Sequence, residues 1–241
     1  MEAIVRLTAF LSLFVVPALL ETVAPRRKLS ASKPRRWLTN LSLTGLNIVL
    51  VRVLFGAVLI RTAVSVRENG SGLLNYIELP YWLEFSAAIL FLDFMIYVQH
   101  VLSHALPIFW RFHLVHHTDL DFDVTTAARF HPVEIIVYLV IKVALVMVSG
   151  APPAAVLVFE IILNGSAQFN HSNLNIPGRV DRVLRGLIIT PDFHRVHHST
   201  RPVETNSNYG FFSPLVGLSQ RNAPRPAHAA PHGDAYRSQG V

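Results

Sequence analysis

The feature that most limits what this chain can fold into is its succession of long apolar stretches. Residues 4–20, 41–66, 81–102 and 133–169 approach or exceed the roughly 20 apolar residues that a helix needs to cross a hydrocarbon layer. The fourth is too long for one pass. It is interrupted by Ser149-Gly150-Ala151-Pro152-Pro153, a strong turn signal, and so reads as a tight helical hairpin. The expected fold is all-α: a multi-pass membrane helix bundle with five crossings. Only 15% of the residues are charged, against about 25% in a soluble domain. The first stretch lacks a strongly basic start and a clear cleavage site, so a retained span is expected rather than a cleaved signal peptide.

Loop charge sets the expected orientation. Arg26, Arg27, Lys28, Lys33, Arg35 and Arg36 lie between the first two stretches, which places that loop in the cytoplasm. Alternation then puts residues 67–80 outside, and residues 104–132 and everything after Asn170 on the cytoplasmic side. The net charge of +6 follows from these basic loops, and no nucleic-acid partner is expected. Arg52, Arg61, Lys142 and Glu160 fall inside apolar stretches, where ionisable groups are costly; pairing within the bundle is expected. Three regions follow: N-terminal membrane segments with a basic loop (1–80), a catalytic region (81–217) and a tail (218–241). The tail is rich in Pro, Ala, Arg and His from Arg221 onward and is expected to be disordered.

The chain has no cysteine, which excludes disulfide scaffolds, iron–sulfur clusters and thiol nucleophiles. It has 12 histidines, and all but His228 and His232 lie between residues 100 and 198. His100 and His104 are four apart and share one helix face. His113-x-x-His116-His117 recurs as His194-x-x-His197-His198, the second behind Thr190 as N-cap and Pro191 at the first helical position. Adjacent histidines on a helix diverge by about 100°, so each pair can serve two ions at once. His171 follows the hairpin and His131 precedes it. These ten imidazoles are too many for one four-coordinate ion and suit two ions of about five ligands each. Imidazole suits zinc, copper, iron and nickel alike, so ligand type leaves the metal open. Asp93, seven residues before His100, and Asn173, two after His171, are placed to accept the second N–H of a ligating ring.

At these residues the chain resembles the fatty acid hydroxylase and sterol desaturase superfamily of membrane di-iron oxygenases. The resemblance runs from Tyr81 to Gly217. It rests on the histidine motifs, on Arg129-Phe130-His131-Pro132-Val133-Glu134, on His171-Ser172-Asn173, and on Glu204-Thr205-Asn206-Ser207-Asn208-Tyr209-Gly210. It implies a membrane bundle under a cytoplasmic histidine-rich helical cap, and two iron ions, with zinc able to substitute on purification. It also implies O₂ as oxidant, and hydroxylation or desaturation of a membrane lipid. Some members carry a second HxxxH where this chain has Ala167 four residues before His171; His131 is the candidate for the missing imidazole. The segment after Gly210 also departs from the family pattern.

The resemblance also implies electrons from a redox partner, a ferredoxin or b-type cytochrome with its reductase, and the chain carries no flavin or nicotinamide motif with which to collect them itself. Arg179, Arg182, Arg185 and Arg195 form the expected docking surface for an acidic carrier, or alternatively for lipid phosphates. Three rivals stand beside this reading. A membrane zinc hydrolase would take Glu204 or Asp192 as base. A metal transporter is disfavoured because the histidines gather at one membrane face. A non-catalytic relative would keep the metal site with a damaged C-terminus.

Overall fold

The computed structural model describes residues 2–119 and 121–213. The expected disorder of residues 218–241, with His228 and His232, lies outside the described residues. The fold is helical, and no β-strand occurs among the described residues. Ten α-helices follow in order: α1 (Glu2–Val23), α2 (Lys33–Phe55), α3 (Val58–Glu68), α4 (Tyr81–Ala105), α5 (Pro107–His117), α6 (Pro132–Ser149), α7 (Pro153–Asn170), α8 (Gly178–Leu184), α9 (Pro191–His197) and α10 (Pro202–Thr205). Short 3₁₀ turns stand at Leu73–Tyr76 and Val124–Ala128.

Among the described residues, four stretches are long and apolar enough to cross a membrane: Ile4–Val23, Lys33–Tyr76, Tyr81–Ala105 and Pro132–Ser149. The second hairpin arm, α7, falls short of that apolar threshold, yet it runs back from the turn at 150–153 to His171 beside the other histidines, so the expected return pass keeps its place. Glu160, Asn164, Gln168 and Asn170 dilute its apolar character, and it packs against α1, α3 and α4. The expected single stretch at 41–66 is corrected. It breaks between α2 and α3 at Gly56, whose φ of 58° is a left-handed conformation that glycine adopts without penalty.

The hairpin turn is as the sequence suggests. Gly150 ends α6 at φ 74°, and the prolines at 152 and 153 start α7. Gly72 packs so closely on this turn that a Cβ there would lie 2.4 Å from the Gly150 Cα. The apolar core joins α3, α4, α6 and α7 through Leu59, Ala63, Ala88, Leu92, Ile96, Val146, Ala155 and Phe159. Leu7, Leu19, Ile48 and Val53 on α1 and α2 stay exposed, as expected of faces turned to lipid rather than water.

The charges inside the apolar stretches resolve unevenly. Glu160 is buried between Lys142 (2.7 Å) and Arg6 (2.8 Å), whereas Arg52 and Arg61 occupy exposed positions. The basic loop is more than a topology signal. Arg36 enters the cap as a buried fork, with Nε and Nη2 donating to Asp119 and Nη1 to Asp123. Arg36 also holds the Asp119 carboxyl below the usual carboxylate range. The backbone N–H groups of Ser30 and Ala31 donate to Asp121. Glu21 at the end of α1 accepts from the N–H groups of Val124 and Asn173, so α1 is stitched to the cap from both sides.

Candidate metal centre

Nine histidines converge from four parts of the fold. The last turns of α4 carry His100 and His104. Leu106 breaks the helix, Pro107 restarts it as α5, and α5 carries His113, His116 and His117. His171 caps the C-terminus of α7. Helix α9 carries His194 and His197, with His198 as its C-cap. All nine rings are buried or nearly so.

They sort into two groups, each with its ligand nitrogens within 4.8 Å of one another. The first holds His100, His104, His113, His117 and His197; the second holds His116, His171, His194 and His198. The repeated HxxHH explains the split. On α5 the i and i+4 rings face the first group and His116 turns to the second. Around α9 the pattern is reciprocal: His194 and His198 face the second group and His197 the first. The 100° step between adjacent helical residues divides each pair.

Hydrogen bonds fix which nitrogen points inward. The Nδ1–H of His100 donates to the Tyr209 carbonyl (2.8 Å), that of His113 to Glu134 Oε1 (2.6 Å), and that of His116 to the Arg129 carbonyl (3.3 Å). His171 donates to the Ala167 carbonyl (2.7 Å), His197 to the Ser207 carbonyl (2.7 Å), and His104 to Asn206 Oδ1 (3.3 Å). A carbonyl or carboxylate oxygen only accepts, so the proton sits on Nδ1 and Nε2 presents a lone pair. Nε2 of His100 then faces Nε2 of His113 at 3.1 Å, and Nε2 of His171 faces that of His116 at 3.0 Å. Two lone pairs at that distance repel unless a cation lies between them. Such separations correspond to about 90–100° between donors roughly 2.1 Å from one ion. The buried Nε2 atoms of His104 and His197 have no hydrogen-bond partner.

Burial supports the same state. It pushes His171 down to about 3 and holds His116, His117, His194, His197 and His198 well below the ordinary imidazole range. Neutral rings are the ligating form. The donor set therefore fits two metal ions held by imidazole.

This site lies within residues 85–217, which match the fatty acid hydroxylase family profile. The chain belongs to the fatty acid hydroxylase family. Within it, the chain is 29% identical over 140 residues to ornithine lipid hydroxylase OlsE of Rhizobium tropici, covering 56% of this chain and 41% of that protein. It is 34% identical over 145 residues to alkylglycerol monooxygenase of Xenopus tropicalis, covering 56% of this chain and 30% of the relative. The corresponding protein of Caenorhabditis elegans is 30% identical over 125 residues, with 50% and 23% covered. The chain thus spans less than half the length of these relatives. No solved structure gives a significant match.

In this family member, three expected site residues have other places. His131 stands outside both groups. It is the N-cap of α6, its Nδ1 accepts the Val133 N–H (3.1 Å), and its ring lies against Phe112. Asp93 does not reach His100, because seven helical residues separate them by about 10 Å along the axis. Its Oδ2 instead accepts the Ser213 N–H (3.2 Å), tying α4 to the segment after Gly210. Asn173 braces the basic loop, with Nδ2 donating to the Arg27 carbonyl and Oδ1 accepting the Arg27 N–H. Thr190 and Pro191 do begin α9, but the Thr190 hydroxyl makes no cap bond.

The carboxylates suggested for a hydrolase are committed to ion pairs, Asp192 with Arg26 and Arg195, and Glu204 with Arg201. Arg195 is buried and donates to the Ser172 carbonyl, so it leaves the expected docking surface; Arg179 and Arg182 remain exposed. The residues that do hold the outer imidazole nitrogens are Glu134, the carbonyls of Arg129 and Ala167, and the 206–209 segment. Only the presence of Glu134, Arg129 and the 206–209 segment in family-like motifs pointed to any of them, since backbone carbonyls leave no mark in a sequence.

Proposed function

We propose that this chain is a membrane-bound di-iron oxygenase that hydroxylates or desaturates a lipid with O₂ and electrons from outside. The observation that carries this reading is the pair of Nε2 groups beside an apolar cavity. About 230 Å³ in volume, the cavity is bounded by α4, α6, α7 and the α2–α3 break, and reaches His100, Phe130 and Phe211. Imidazole coordination, two adjacent sites and a chamber lined largely by apolar side chains suit oxidation of an unactivated C–H bond. The two carboxylates suggested as a hydrolase's base, Asp192 and Glu204, are instead held in ion pairs. The names of the relatives, a lipid hydroxylase and alkylglycerol monooxygenases, support hydroxylation of a lipid.

Two iron ions would be held by His100, His104, His113, His117 and His197, and by His116, His171, His194 and His198. When bound, iron supplies O₂ activation and hydrogen abstraction from a C–H bond. The protein does the rest. Outer hydrogen bonds from Nδ1 hold His100, His104, His113, His116, His171 and His197 so that each lone pair faces inward. Phe130 stacks flat on His116 at 4.6 Å, and Phe122 packs on His171 and His198, keeping water from the second group. The cavity aligns an apolar chain with the His100 side of the first group.

The centre faces the cytoplasm in this reading, within reach of a ferredoxin or b-type cytochrome and its reductase. The test is reconstitution of the detergent-purified holoprotein with a reducing system and labelled O₂ over membrane lipid. Label in a lipid hydroxyl is expected for hydroxylation; a new double bond with label only in water indicates desaturation. Lipid turnover that proceeds equally without O₂ refutes the proposal. A C-terminal reporter fusion that maps outside the cell refutes the cytoplasmic placement.

A further inference from the structure

Between the first histidine group and the apolar cavities lies a set of polar side chains that the metal chemistry does not explain. Gln99 precedes the candidate ligand His100. It is 6% exposed, lines both the 230 Å³ cavity and a neighbouring apolar cavity of about 80 Å³, and its Oε1 is buried without a hydrogen-bond partner. Glu134, 4% exposed, uses Oε1 to hold His113, while its Oε2 is buried without a partner beside the smaller cavity. Tyr138 stands between them, lines both cavities, and shares a 2.8 Å hydrogen bond with Ser103.

A buried acceptor left unpaired against an apolar chamber is costly, and two such acceptors around one phenol are rarely accidental. The Tyr138 hydroxyl beside them has a single proton to give, so at least one of these acceptors still lacks a donor. We propose that Gln99, Glu134 and Tyr138 form a seat for the polar group of the lipid substrate, and that this group carries a hydrogen-bond donor, a hydroxyl or an amide N–H. The inference rests on the lipid-oxygenase reading and adds the chemistry by which the substrate is chosen.

It also constrains where oxidation falls. The seat touches the first group directly, through the peptide neighbour of His100 and the carboxylate on His113. A polar group held there keeps its nearest carbons beside the centre. The remaining chain extends along the larger cavity among Leu59, Ile135, Leu139 and Leu163. Oxidation is therefore expected within a few carbons of the polar group and not at the far chain end.

The experiment measures equilibrium binding to the anaerobic, metal-loaded protein in detergent, so that no turnover is involved. One probe pair is hexadecanol and its methyl ether; the other is N-methylpalmitamide and N,N-dimethylpalmitamide. Within each pair only the donor differs. The wild-type protein should bind the donor-bearing member of one pair about 10-fold more tightly or better, and the pair that discriminates tells hydroxyl from amide. Gln99→Met should reduce that ratio to about threefold or less while leaving metal content and binding of the donor-free probe unchanged. Equal binding within both pairs by the wild-type protein overturns the proposal without any variant. So does full discrimination retained by a folded Gln99→Met protein. A protein that oxidises lipid but shows no discrimination keeps the oxygenase reading and loses this one. A protein that binds no metal but still discriminates separates them the other way.

Discussion

Removing the carboxylate from His113 isolates what an outer hydrogen bond contributes to the centre. His113 is the hub of the first group, its Nε2 lying 3.1 Å from that of His100 and 3.2 Å from that of His117. Its ring is 1% exposed, and its Nδ1–H donates to Glu134 Oε1 at 2.6 Å, a charge-assisted bond. In Glu134→Ala that N–H is stranded in a dry pocket, with only the Tyr138 hydroxyl nearby at 3.5 Å. A stranded buried donor costs about 1–3 kcal/mol. The ring can then shift its proton to Nε2, which removes the lone pair facing the ion. Since 1.4 kcal/mol is a factor of ten, the loss in metal affinity should be about 10- to 100-fold, the range typical of such outer partners. Glu134→Gln keeps an acceptor and loses the charge, so about threefold to tenfold is expected. The assay is chelator competition on detergent-purified protein, with the thermal midpoint of the metal-free form measured in parallel. If the alanine variant holds metal as tightly as wild type, the Nδ1–H bond does not position His113 and the reasoning fails.

The other expectations concern separate parts of the fold. His131→Ala should leave metal content unchanged and cost about 0.5–2 kcal/mol of stability through the lost cap, read by chemical unfolding; loss of an ion would return His131 to the ligand set. Arg36→Ala strips the buried partner from Asp119 and Asp123 and should destabilise the protein by about 3–5 kcal/mol, and an unchanged thermal midpoint would mean that the basic loop is not anchored to the cap. The metal-free protein should lose stability as pH falls. His171 is pushed from 6.5 down to about 3 in the fold, so below 6.5 the unfolded chain binds the proton that the native ring refuses. Each imidazole so depressed removes about 1.4 kcal/mol per pH unit across that window. A midpoint that stays flat between about pH 7 and about pH 5 would contradict the neutral, buried assignment.

The primary sequence carried the membrane helices, the hairpin at 149–153 and the histidine pairs almost completely. These are local properties: apolar run length, glycine and proline chemistry, and the fixed 100° step of a helix. That step alone implies that His116 and His117 diverge, as do His197 and His198. What the sequence could not carry is which distant group completes each local one. Asp93 looked like a partner for His100 because both lie on one face, but hydrogen-bond reach is shorter than two helical turns, and a carbonyl from Tyr209, more than a hundred residues away, holds the ring instead. Asn173 is a similar case, its partner being the Arg27 main chain 146 residues away, whereas the cap that His131 makes on the Val133 N–H is local and is consistent with a helix entry at His131-Pro132. The basic loop reads in sequence as charge beside a membrane; only the fold buries Arg36 between two aspartates. Periodicity and composition are written residue by residue, whereas the direction of a lone pair depends on a donor and an acceptor brought together by the whole chain.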